Sequence, residues 1–345
     1  MRAVALLLVA ALPVAFNAWV DPGRLVTPRR SEREIARALA AGANVTDFVN
    51  YDDRAIEKYL VPLRRGRVDV LALGSSRTQP LTASAFPGST FVNGSMQGGM
   101  LDDAIGVYGL YDHPERRPRR VVLNVDPWVE RVDARSGWLS VADERDAVLR
   151  RAGIPVSPLR DRLKLIHHAL RTLASPEYFR LSVLSFRRHG PRGVRWRVTD
   201  RAQNSEKTKL PNGTVVWSDL PADIAGQVAP RSARLMMRDG RFPNFDWRKP
   251  GQRDALERFV QYLRSEGITV TLVLVPFTPE VYDAFVRTPG IPVPSVERDL
   301  RAMAARTGAR VAGSYDPRRA GVVTRDFFDG THLRPEPLAR LVASR

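Results

Sequence analysis

Apolar residues in this chain fall into short runs separated by stretches of helical period. Residues 68–73 (Val-Asp-Val-Leu-Ala-Leu) form one such run, preceded by the polar Arg64-Arg65-Gly66-Arg67. A short run rich in β-branched residues, closed off by polar ones, reads as a buried parallel strand. Residues 90–93, 119–126, 268–275 and 310–312 read the same way, 268–275 most clearly. Helical periods occupy residues 100–111, 252–267 and 295–307, and a closing helix starts at about Pro335. This alternation predicts an α/β protein with a three-layer α/β/α, doubly wound parallel sheet.

The alternation stops between residues 131 and 247. Amphipathic helices are expected at 143–152 and 159–173, the second containing His167 and His168. A polar stretch at 207–219 turns at Pro211-Asn212-Gly213. The segment reads as an inserted, mostly helical lobe, and its Trp196, Trp217 and Trp247 are open to two readings, packing or ligand stacking.

At the other end, residues 3–20 are apolar except at Pro13 and Asn17. A run of about 18 residues is the short end of a membrane-spanning helix. Cleavage after Ala18 would put the bulky Phe16 at the −3 position. The run therefore reads as an uncleaved signal anchor, with secretion after cleavage as the alternative. Arg24, Arg29, Arg30 and Arg33 follow it and by charge would stay cytoplasmic, opposed only by Arg2 and the amino terminus. Ser31 and Glu34 make a capping-box pattern for a helix to about residue 41. The chain thus divides into an anchor (1–22), lead-in helices (23–67), two halves of one α/β domain (68–130 and 248–345) and the lobe between them (131–247).

Composition narrows the chemistry. The 345 residues carry a formal net charge of +17, and of the 54 basic residues only Lys58, Lys164, Lys207, Lys209 and Lys249 are lysines. Such a surface suits anionic lipid or a polyanionic glycan. Nucleic acid is not indicated, because no zinc pattern, basic zipper or aromatic-studded sheet motif accompanies the charge. The absence of cysteine removes disulfides, thiolate metal sites and cysteine nucleophiles. Five histidines argue against a three-histidine metal site, so neither metal nor cofactor is expected. A P-loop or dinucleotide enzyme lacks its glycine signature here.

The candidate chemistry lies where strands end. Residues 68–73 run into Gly74-Ser75-Ser76-Arg77, and ligands of open parallel sheets bind beyond the C-terminal ends of strands. Ser76 is either a helix N-cap or a nucleophile held at the rim. As a nucleophile it needs a base and an orienter behind that base. Asp329-Gly330-Thr331-His332 offers both, with His332 as base and Asp329 three residues earlier to hold its other ring nitrogen. The N–H groups of Ser76 and Gly98 are candidate oxyanion donors, Gly98 lying in the small-residue loop 94–99. Asp126 ends its strand at the same rim, either as a site residue or as a loop cap. Arg77, beside the nucleophile, is either an anion-binding side chain or an exposed arginine.

These residues resemble the SGNH (GDSL-type) hydrolase superfamily. Gly74-Ser75-Ser76 resembles its first block, with Ser76 as the nucleophile. Asn93 followed by Gly98 is similar to the second block, and Asp329-Gly330-Thr331-His332 to the last. The third block departs from the family: Asn124-Val125-Asp126-Pro127 stands in place of Gly-x-Asn-Asp, with Asn124 as its candidate side-chain donor to the oxyanion. The resemblance covers about residues 68–128 and 252–345. A Gly-Ser-Ser block behind an N-terminal anchor resembles the cell-envelope branch, which includes alginate O-acetylation proteins and the D-alanyl-lipoteichoic acid biosynthesis protein. It implies a flavodoxin-like fold with its catalytic domain outside the cytoplasmic membrane, overriding the arginine count. It further implies a serine esterase or O-acyltransferase acting through an acyl-serine on an envelope glycan or related ester, served by a membrane acyl-transfer partner. The alternative is an inactive envelope assembly or glycan-binding protein on the same fold.

Overall fold

The computed structural model describes residues 2–22, 25, 30–49, 51–128, 137–190, 195–218, 224–238, 252–289 and 292–343. In chain order the strands are β1 (Asn44–Val49), β2 (Val70–Leu73), β3 (Phe91–Asn93), β4 (Arg120–Asn124), β5 (Arg195–Thr199), β6 (Thr208–Lys209), β7 (Val215–Val216), β8 (Thr269–Leu274) and β9 (Arg310–Gly313). A five-stranded sheet in the order β3-β2-β4-β8-β9 is parallel throughout. A four-stranded antiparallel sheet has the order β5-β1-β6-β7.

Alternation along the parallel strands divides their side chains between two cores. Leu71, Leu73, Val121, Leu123, Val270, Leu272 and Leu274 join one core, with the helices Leu101–Tyr111, Gln252–Ser265 and Val293–Thr307. Val70, Ala72, Val122 and Val273 join the other, with Phe327, Leu333 and the helix Pro335–Ala343. Both faces of the sheet are therefore covered, as parallel strands require, and the result is a three-layer α/β architecture. The chain leaves β2 for β3 on one side and returns past it to β4 on the other. That reversal opens a crevice beyond the C-terminal ends of β2 and β4.

The lead-in and the lobe are joined by hydrogen bonds. β1 comes from the stretch expected to be helical lead-in, yet it pairs with β5 and β6 of the lobe. Asp47 adopts a positive φ of 55° within it, where the register with β5 shifts. The lobe keeps helices at Ala142–Arg151, Pro158–Leu173, Pro176–His189 and Ile224–Arg238. Between β6 and β7 the chain forms a strap along the outer edge of β3. Asn93 N–H donates to Asn212 O (2.7 Å) and Val215 N–H to Gln79 O (2.9 Å). Gly213 is required there: its φ is +89°, and a Cβ would lie 2.1 Å from Asn93 O.

The N-terminal expectation is not supported. Among the described residues no helix is long and apolar enough to cross a membrane. The first helix, Arg2–Val20, contains Pro13 and turns its C-terminal half onto protein. Asn17 is buried and donates to Leu173 O (2.7 Å). Phe16 packs against Phe179 and Phe186, and Trp19 against Phe186, all on the helix Pro176–His189. Arg24 and Arg29, which bore on orientation, lie outside the described residues.

The strap is fastened by a buried ion pair. Lys209 Nζ lies 2.9 Å from Asp53 Oδ1, both side chains being almost inaccessible. Asp53 Oδ2 also accepts from Gln79 Nε2 (3.3 Å) and Gln97 N–H (2.9 Å), which ties β6 to the loop after β3. Asp53→Asn or Lys209→Met alone is expected to cost about 3–5 kcal/mol in urea unfolding, because each strands a buried partner. The double replacement is expected to cost less than the two singles added together; strict additivity would contradict the coupling.

Candidate active site

The turn after β2 is shaped by contact with β4. Gly74 has a φ of +146°, and a Cβ on it would lie 2.5 Å from Asn124 Cβ. Only glycine fits so close an approach. Ser75 turns inward, donating from its N–H (3.2 Å) and its hydroxyl (2.9 Å) to Asn124 Oδ1. Ser76 then faces the other way: between Val70 and Leu81 it is the single residue that is not buried. The chain continues as turns to the short 3-10 segment Ala83–Ala85, so no helix starts at Ser76 for a serine to cap.

The last strand–helix connection brings the second half of the site. Phe327 and Leu333 bridge in antiparallel fashion, and Phe328 N–H donates to His332 O (2.8 Å), closing a tight loop. Gly330 O accepts from Thr278 N–H (3.2 Å), anchoring that loop beyond β8. At its tip His332 Nε2 stands 2.9 Å from Ser76 Oγ, across 256 residues of sequence. His332 Nδ1 stands 2.8 Å from Asp329 Oδ2 and 3.0 Å from Oδ1. The carboxylate accepts, so Nδ1 carries the proton and Nε2 is left to accept from the Ser76 hydroxyl.

Asp329 is prepared for this role. Burial pushes its pKa up, but the hydrogen bond and charge of His332, with the N–H groups of Thr331 (2.7 Å) and His332 (3.0 Å), more than offset that. They hold the carboxyl well below the usual carboxylate range. It is ionised wherever the imidazole needs an anion behind it.

Loop 94–99 lies against the Ser76 turn. Met96 N–H donates to Gly74 O (3.0 Å), and a Cβ on Gly99 would lie 2.3 Å from the same oxygen. Gly98 is exposed with a φ of +60°. Among the described residues the N–H groups of Ser76 and Gly98 have no acceptor, so both remain free to donate. Asn93 is wholly buried and serves the backbone: its Nδ2 donates to Thr78 O, Gln79 O and Leu81 O.

Three sequence expectations change here. Asn124 is not positioned as an oxyanion donor: its Nδ2 donates to Asp126 Oδ1 and Val273 O (both 3.3 Å), and the residue is buried. Arg77 is not a rim cation. It is 2% exposed, donates to Asp126 Oδ1 (2.9 Å), to Thr331 O (3.0 Å) and to the carbonyls of Val275 and Pro276, and lies 3.9 Å over the Phe277 ring. Asp126 is likewise buried as its counter-ion, not presented to a substrate. The cause is shared: Asn124 and Arg77 turn inward to the carbonyls of Val273, Val275 and Pro276, and Asp126 accepts from both.

Sequence reasoning named Trp217 but missed the wall that it forms beside His332. The Trp217 ring stacks on Phe328 (5.4 Å between centroids, 12° between planes) and stands 4.6 Å from the imidazole. Lys207 Nζ lies 3.6 Å from the same indole. The one sequence signal for it was a lone tryptophan in the polar 207–219 stretch. Trp196 packs beside the small core of Ile35, Leu39 and Val45, and Trp247 lies outside the described residues. Among the described residues no group of three or more His, Asp or Glu side chains could hold a metal ion. No protein-family model matches the chain, and no curated protein matches it.

Because the folded-state pKa of Asp329 is depressed, its stabilising contribution is complete above the unfolded carboxylate value near about 4 and is lost as pH falls below it. Thermal unfolding followed from about pH 5 to pH 2 is therefore expected to show a steeper loss for the parent protein than for Asp329→Asn. Parallel curves would contradict it.

Proposed function

We propose that this protein is an SGNH-type serine esterase or O-acyltransferase that works through an acyl-serine at Ser76 on an ester of a cell-envelope glycan. The observation that carries this reading is the continuous hydrogen-bond chain Ser76 Oγ–His332 Nε2, His332 Nδ1–Asp329, at the C-terminal rim of a parallel sheet. The strand order of that sheet, 2-1-3-4-5 when its own strands are counted, is the flavodoxin-like order expected of the superfamily.

In the first step the Ser76 hydroxyl gives its proton to His332 Nε2 as Oγ bonds to the ester carbonyl carbon. Asp329 stabilises the imidazolium that forms. The carbonyl oxygen, now negative, takes hydrogen bonds from the Ser76 and Gly98 N–H groups. The carbon–oxygen bond to the leaving alcohol breaks as His332 returns the proton to that alcohol. In the second step His332 deprotonates an acceptor as its oxygen bonds to the acyl carbon, the bond from that carbon to Ser76 Oγ breaks, and His332 returns the proton to Oγ. Water as acceptor gives deacylation; a sugar hydroxyl gives acyl transfer. Placement outside the cytoplasm and an envelope substrate rest on the resemblance of the Gly74-Ser75-Ser76 block to the cell-envelope branch, without support, among the described residues, from the membrane anchor that the sequence led one to expect beside it.

One observation favours a second reading, a glycan-binding protein without turnover. The Asn124 amide is committed elsewhere, so the hole has backbone donors alone. Hydrolysis of 4-nitrophenyl acetate separates the two. As an esterase, the protein is expected to lose at least about 10³-fold in kcat on Ser76→Ala and on His332→Ala, with little further loss in the double variant, because the two act as a unit. Turnover that survives Ser76→Ala within tenfold would contradict the mechanism.

A further inference from the structure

The chain Ser76–His332–Asp329 handles an acyl group and says nothing of what bears it. The residues that flank the β6–β7 strap do. Thr46 Oγ1 donates to the Lys207 carbonyl (3.1 Å), and two residues later Lys209 is fastened to Asp53, so the backbone at Lys207 is fixed from both sides. The Lys207 ammonium lies 3.6 Å from the centroid of Trp217, whose ring in turn stands against Phe328 and the His332 imidazole. Arg334 lies 4.9 Å over the Phe328 ring, so a cation attends each member of the aromatic pair.

Lys207 is half-buried, and among the described residues its ammonium has neither a hydrogen-bond acceptor nor a carboxylate in contact. Burial lowers its pKa. The carboxylates that oppose this, Asp329 and Asp53, are already engaged, the first by His332 and the second by Lys209. A partly desolvated cation whose only partner is a π-face lacks the anion that would compensate its desolvation. The indole beneath it stands 4.6 Å from the imidazole of the proposed general base, so an anion placed on this ammonium is within a substrate's reach of Ser76.

We propose that Lys207 is the anion anchor of the substrate: the ester attacked by Ser76 is carried on a molecule with a carboxylate or phosphate, which lies against Trp217 and ends on the Lys207 ammonium. This assignment rests on the Ser76–His332 reading and extends it to the substrate class. The anion-binding role expected of Arg77 passes to Lys207, because Arg77 is consumed in the interior.

Binding is the direct readout, since it needs no turnover. In a Ser76→Ala background, calorimetric titrations compare an O-acetylated oligogalacturonate, the same oligomer after methyl esterification of its carboxylates, and O-acetylglycerol 3-phosphate. At least one charged probe is expected to bind tenfold or more tightly than the esterified oligomer, with affinity falling as salt rises. Preference for the oligomer or for the phosphate tells which anion is the natural one. Lys207→Met is expected to lose tenfold or more for that probe, and Lys207→Arg to keep most of it. The proposal is overturned if no charged probe binds more tightly than the esterified oligomer, or if Lys207→Met binds the preferred charged probe like its parent. A protein with Ser76 intact that binds the charged probe but hydrolyses no ester would sink the esterase reading and leave the anion site. One that hydrolyses 4-nitrophenyl acetate through Ser76 but binds no charged probe would sink the anion site alone.

Discussion

One guanidinium joins the two halves of the site. Arg77 follows the candidate nucleophile directly, and its Nε–H donates to the carbonyl of Thr331, which directly precedes the candidate base. The same planar fork donates to Asp126 after β4 and to two carbonyls after β8. Burying so large a cation is tolerable only because nearly every N–H direction meets an acceptor and the Phe277 ring lies beneath it. A lysine would bring a point charge in place of a fork and could not grip strand ends and loop together. The separation between Ser76 and His332 is therefore set by a rigid group in the interior, not by the surface loops that carry them.

The parallel sheet supplies the rest of the geometry. Its strands all end on one side, so residues far apart in sequence reach a common rim. Gly74 presses the first turn onto Asn124, which turns Ser75 in and Ser76 out. The lobe then adds what the sheet lacks. Its strap covers the open edge of β3, and the residues flanking the strap bring an indole beside the imidazole and an ammonium onto that indole. The candidate catalytic positions thus come from the scaffold, and the aromatic wall beside them comes largely from the insertion, the division usual for loops on a rigid frame.

The five parallel strands were legible because a strand buried on both faces leaves a local mark, a short apolar run with abrupt polar ends. The Asp329–His332 pair was legible for a similar reason: three residues of spacing suffice to bring carboxylate and imidazole together in a turn. What escaped were contacts settled at long range. Whether Arg77 points outward or inward depends on carbonyls at residues 275, 276 and 331, about which its own neighbours say nothing. An apolar helix reads alike whether lipid or protein receives it, and Asn17 meets its acceptor 156 residues away. The helix Ile224–Arg238 was hidden by Pro230 within it, and β1 by a bulge with Asp47 at positive φ. Trp217 carried the right residue type with nothing local to choose between packing and ligand contact.

A fluorophosphonate ester tests the central claim most directly, because it reacts only with a hydroxyl that a neighbouring base has activated. After exposure of the full-length protein, peptide mass spectrometry is expected to find a single phosphonyl adduct on Ser76. His332→Ala is expected to abolish it while leaving the fold intact by circular dichroism. An unmodified Ser76, or an adduct that forms equally well without the imidazole, would contradict the claim that this serine is a nucleophile.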